Sequence, residues 1–118
     1  MKSGSASSYV PHRADLIWID LDPTMGHEQT GRRPALVLSH RIYNGPSHLM
    51  VVCPITTRQK GYTFEVPLPR GCPVHGVVLA DQVKSVDWTT RNIEFIAHAP
   101  LDLVTGVLER VSALLGIA

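Results

Sequence analysis

Pro34-Ala35-Leu36-Val37-Leu38-Ser39 is the stretch from which the fold is read. Five consecutive apolar residues cannot alternate between a core face and a wet face, so the segment predicts a strand buried on both sides. Proline is tolerated at the first position of a strand, where its missing N–H disturbs the ladder least. Downstream, Asn44-Gly45-Pro46 predicts a turn, and Leu49 to Ile55 a second apolar strand. Upstream, Asp15 to Leu21 predicts a strand with Leu16 and Trp18 on one face and Ile17, Ile19 and Leu21 on the other. The loop Asp22 to Gly31 joins these, and Thr56 to Gly61 forms a second polar loop.

Further short strands are predicted at 63–66, 76–80, 82–86 and 92–97. Their spacing and the turn residues between them indicate a mainly β chain, a small antiparallel barrel or sandwich. The period then changes. Val104, Val107, Leu108, Val111, Leu114 and Leu115 repeat as one helical stripe, predicting a C-terminal helix over about 100–115. Residues 1–8, rich in Ser and Gly, are expected to form a flexible lead, with one domain over 9–118.

The 118 residues fit a single core, and 44% hydrophobic against 18% charged residues is a globular balance. No run approaches the roughly 18 apolar residues of a membrane span. Cys53 and Cys72 form no C-x-x-C pair, so neither a zinc site nor a disulfide scaffold is expected. With no secretion signal in the sequence, a reducing cytoplasm is the expected location. The net charge of +1 divides unevenly: residues 21–61 carry +3 and residues 62–118 carry −2.

No nucleophile elbow, phosphate-binding glycine loop or H-E-x-x-H is present, and the six histidines show no metal-ligand spacing. The informative feature is where polar residues interrupt strand ends. Arg33 precedes one apolar strand and Thr56-Thr57 follows the next. In antiparallel neighbours the start of one lies beside the end of the other. A guanidinium fork and one or two hydroxyls then meet at one sheet rim, near His27-Glu28-Gln29 and the Arg58–Lys60 loop, a set suited to a phosphodiester. An arginine before a strand and a threonine after one are also ordinary surface features, so spacing alone does not decide.

Asp15-Leu16-Ile17-Trp18-Ile19-Asp20-Leu21-Asp22-Pro23, Gly26-His27-Glu28-Gln29, Gly31-Arg32-Arg33-Pro34-Ala35-Leu36-Val37-Leu38-Ser39, Pro54-Ile55-Thr56-Thr57 and Ala80-Asp81-Gln82-Val83-Lys84-Ser85 resemble, block by block and in order, the MazF/PemK family of toxin endoribonucleases. The resemblance spans about residues 9–117. It implies an SH3-like β-barrel that dimerises, pairs with a MazE-like antitoxin, and cleaves single-stranded RNA at short sequences without a metal or other cofactor. The ends expected are a 2′,3′-cyclic phosphate and a 5′-hydroxyl.

Carried over by motif, the family's catalytic arginine falls on Arg33, its threonine on Thr56 and its loop glutamate on Glu28. Gln29, Arg32, Thr57, Arg58, Lys60 and Lys84 are the expected RNA contacts, together with His27, which stands where many members have serine. The implied reaction is attack of a 2′-hydroxyl on the adjacent phosphorus. Arg33 would neutralise the phosphorane oxygens and Thr56 donate a second hydrogen bond. A guanidinium is a poor base, so His27 or Glu28 could move the proton instead, and the sequence leaves that choice open.

Arg32 reads as a phosphate-steering charge, Trp18 as core, and Lys84 as a support for site or dimer. Tyr62 and Phe64 are candidates to stack on bases. Two other functions fit the same barrel: a CcdB-like toxin that poisons DNA gyrase without cutting RNA, and an RNA-binding barrel that has lost catalysis.

Overall fold

Strand β2 (Arg32–Val37) lies inside the sheet, as its unbroken apolar run requires. It is flanked by β1 (Asp15–Asp20) and β3 (Leu49–Thr56), both antiparallel to it. The computed structural model describes residues 8–21 and 31–117. The lead at 1–8, apart from Ser8, and the loop residues His27, Glu28 and Gln29 lie outside the described residues.

The remaining strands are β4 (Glu65–Pro67), β5 (Val77–Leu79), β6 (Lys84–Asp87) and β7 (Glu94–His98), giving the bonded order β4-β5-β3-β2-β1-β7. Strand β3 shares its second edge between two partners: Leu49–Val52 pair with β6, and Ile55–Thr56 with β5. A long strand divided in this way turns one sheet around the core, as in small barrels.

Both faces of the central strands are covered. Leu16, Leu36, Cys53 and Ile55 point into one cluster with Val78, Ala80, Leu103, Val104 and Val107. Ile17, Ile19, Ala35, Val37, Met50 and Val52 point the other way, against Val86, Trp88 and Ile93. Helix α2 (Leu101–Leu114) closes the first cluster. Pro100 stands at its N-cap and Asp102 in its first turn, at the positive end of the helix dipole.

Three expectations need correction. Asn44-Gly45-Pro46 is not an isolated turn but part of a short helix α1 (Arg41–Ser47), capped by the His40 imidazole accepting from the Ile42 N–H. The cause is the fully buried Asn44 amide. It donates to Pro11 and Ser39 carbonyls at 2.7 and 3.0 Å and accepts from the Ser39 hydroxyl at 2.6 Å, which pins the segment in one fold. Trp18 is not core. It shares a face with Leu16 but lies one pleat beyond the buried cluster, and 38% of it is exposed. The far end of the helical stripe also departs from expectation: Val104 and Val107 are buried, whereas Leu108, Leu114 and Leu115 face solvent.

Candidate active site

The site grows out of strand register. Ala35 faces Pro54, Leu36 faces Cys53 and Val37 faces Val52. Each step back along β2 is a step forward along β3, so two steps beyond Ala35 and Pro54 come Arg33 and Thr56. On the other edge of β3, Thr56 faces Val77. The end of one strand is thus held between the beginnings of two others.

Gly76 explains how the second approach can be so close. Its φ is +120°, a region that L side chains rarely adopt, and an added Cβ would run into the Thr56 carbonyl and lie 3.2 Å from Thr57 Cα. Backbone against backbone at this point draws the residue before it, His75, to the same rim.

Here a cleft of about 470 Å³ opens, lined by Arg32, Arg33, Pro34, Ile55, Thr56, Thr57, Arg58 and His75. Among the described residues its charged groups are three arginines, with Pro34 and Ile55 as the apolar members of the lining. Such a concavity suits an anionic diester. Among the described residues, no carboxylate pairs with Arg33, which is exposed. Arg32 differs. Its guanidinium donates to Glu94 at 2.9 Å and to the Asn92 carbonyl at 2.6 Å, and lies 3.6 Å from Asp20. Arg32 therefore ties β2 to β1 and to the segment entering β7.

The loop after β3 is held by its own polar groups. The Thr56 hydroxyl accepts from the Arg58 N–H at 3.1 Å. The buried Glu65 carboxylate accepts from the backbone N–H groups of Lys60 and Gly61, at 3.1 and 2.8 Å. Arg110 of α2 donates to the Thr63 carbonyl at 2.9 Å. A second, smaller hollow of about 180 Å³ adjoins the cleft through Thr56 and Arg58, and includes Lys60, Tyr62, Glu65, Asp81 and Gln82.

The structure therefore brings Arg32, Arg33, Thr56, Thr57 and Arg58 together, with Lys60 next to them. It does not bring in Lys84 of β6, which faces Val52 on β3, four residues before Thr56 and so roughly 13 Å away at strand rise. Tyr62 is exposed at the hollow, while Phe64 packs against the core. The residues His75, Gly76 and Glu65 were missed. Glycine at a strand start was a visible signal for a tight approach; nothing in the sequence near Glu65 signalled that a later carboxylate would fasten the loop.

Residues 12–115 match the family described as PemK-like, MazF-like toxin of type II toxin-antitoxin system. The chain is 54% identical over 85 residues to the endoribonuclease toxin MazF of Escherichia coli strain K12, covering 72% of this chain and 76% of that one. It is 37% identical to the endoribonuclease toxin ChpB of the same strain, over 86% of this chain and 90% of that one. A crystal structure of MazF from Deinococcus radiodurans superposes with a TM-score of 0.85 at 51% identity, over 92% of this chain and 99% of that one. A MazE–MazF crystal structure from the same organism gives 0.82 at 45%, over 93% and 100%. On this extent of match, the chain belongs to the PemK/MazF-like toxin family of type II toxin–antitoxin systems.

Proposed function

We propose that the chain is an endoribonuclease toxin that cuts single-stranded RNA at the rim where β2 begins and β3 ends. The observation that carries this reading is the cleft itself: an arginine with no carboxylate partner among the described residues, brought by strand register beside Thr56 in one concave site. The relatives named above are endoribonucleases, and their shared name weighs against the gyrase-poisoning alternative.

In the mechanism, the 2′-oxygen attacks phosphorus and the P–O5′ bond breaks, leaving a 2′,3′-cyclic phosphate and a 5′-hydroxyl. Arg33 holds two nonbridging oxygens through its fork, and the Thr56 hydroxyl donates to the developing negative charge. The Thr56 hydroxyl already accepts from the Arg58 N–H, so its own proton points away from that bond and is available to the phosphate. Thr57, Arg58 and Lys60 bind flanking phosphates. Arg32, already tethered, steers at most. The family resemblance adds Glu28, His27 and Gln29, which lie outside the described residues. No step needs a metal.

The reading includes two partners. A MazE-like antitoxin, acidic and disordered until bound, would cover the positive rim, in keeping with the MazE–MazF assemblies solved for relatives. A second copy of the chain would form a two-fold dimer, and the exposed Leu108 and Leu114 of α2, with Leu115 just after it, offer apolar surface for it.

The test is incubation of purified protein with a long single-stranded RNA in EDTA, with both ends mapped. Discrete cuts with cyclic-phosphate ends are expected, and a single 2′-deoxy nucleotide 5′ of the cut should block that cut alone. Intact RNA beside inhibited gyrase would overturn the reading in favour of the alternative.

A further inference from the structure

The reaction moves a proton off a 2′-hydroxyl, and most of the cleft is poorly equipped to receive it. Guanidinium groups stay protonated, and a threonine hydroxyl is a very weak base. Among the described residues lining the cleft, His75 alone carries an imidazole, a nitrogen base that can take up a proton and give it back. We propose that His75 is the general base of the cleavage, an inference that rests on the ribonuclease reading of this site.

The placement is enforced by the backbone. Thr56 faces Val77, one step on Thr57 meets Gly76, and the next residue is His75. Because Gly76 seats directly on the Thr56–Thr57 backbone, the imidazole is carried by the segment leading into β5, two residues before that strand begins. His75 is exposed and lines the same cleft as Arg33, which enters from the opposite edge of β3. The charged groups facing it are Arg33 and Arg32 from β2 and Arg58 from the loop after β3, with Asp20 and Glu94 behind Arg32. Among the described residues no carboxylate lines the cleft, and the 22–30 loop residues His27 and Glu28 are the rival bases that the experiment below separates from His75.

The step balances without a co-reactant. As the 2′-oxygen forms its bond to phosphorus, its proton passes to a ring nitrogen of neutral His75. The P–O5′ electron pair leaves with the 5′-oxygen, which takes a proton from water. The resulting hydroxide and the imidazolium proton recombine through solvent, and the imidazole is neutral again.

The experiment is the pH dependence of single-site cleavage by the full chain, followed on a short fluorescent RNA containing one mapped cut. For the wild type, kcat should rise with pH to a plateau, as a base that acts only when neutral requires. In His75→Gln the rise should vanish and plateau kcat should fall about 100-fold or more, with KM and melting temperature little changed because the side chain is exposed. A His75→Gln profile that keeps the rise, whether kcat is intact or lowered, overturns the assignment. So does loss of the rise in His27→Gln or Glu28→Gln but not in His75→Gln. Wild-type protein that cleaves beside an unaffected His75→Gln removes this inference and leaves the ribonuclease reading standing. Wild-type protein that cleaves no RNA removes both.

Discussion

At the first two positions of β2 the same residue type does two different jobs. Arg32 is tethered by Glu94, Asp20 and the Asn92 carbonyl, whereas Arg33 faces the cleft without a carboxylate among the described residues. Arg32→Gln should cost at most about 1 kcal/mol in a denaturant melt, since exposed pairs contribute little, and should leave cleavage largely intact. Thr56 is the complementary case. Thr56→Ala should lower kcat by about 100-fold, the scale of one lost donor to a developing oxyanion, and Thr56→Ser should recover most of it. Thr56→Ala activity within threefold of wild type in the same assay would remove the hydroxyl from the mechanism. Cys53 gives a check on the core: burial, with a smaller effect from Asp81, pushes its thiol up to about 12. It therefore stays protonated in the fold at pH 8, and an alkylating reagent should modify it only after unfolding.

Among the elements, the decisive junction is the end of β3 between the starts of β2 and β5. Gly76→Ala places a methyl group against the Thr56 carbonyl at a φ of +120°. Either β5 moves away or the fold is strained, so the variant should lose about 2 kcal/mol or more of stability together with most of its cleavage. Glu65→Gln should act more locally. It removes the negative charge that accepts from Lys60 and Gly61, so their amides should exchange with solvent faster while β1 and β2 amides do not. Unchanged exchange at those two amides would show that the carboxylate does not hold the loop.

The strands and the rim were legible because they follow from short-range rules. The apolar run at 34–38 could only be a two-sided strand, and strand order then put Arg33 near Thr56. Three features were not legible, and each depends on contacts distant in sequence. The helix at 41–47 follows from Asn44 bonding Pro11 and Ser39. Trp18 kept the alternation of its strand, but its exposure depends on where the buried cluster stops. The role of Glu65 depends on a loop folding back over it.

For the molecule as a whole, the small net charge of +1 coexists with a cleft lined by three arginines. RNA binding should therefore weaken steeply as salt rises, each phosphate contact adding to the slope. The two-sided core should make central substitutions costly: Leu36→Ala, fully buried, is expected to lose about 2–5 kcal/mol in a denaturant melt. The central claim is that the cleft where β2 begins and β3 ends is where RNA is cut. The most direct measurement is the single-turnover rate at one mapped site for wild type and folded Arg33→Ala, both in EDTA. A fall of about 1,000-fold or more is expected, since the substitution removes the charge-assisted fork at the phosphorane. A folded Arg33→Ala that cuts within threefold of the wild-type rate would contradict the account.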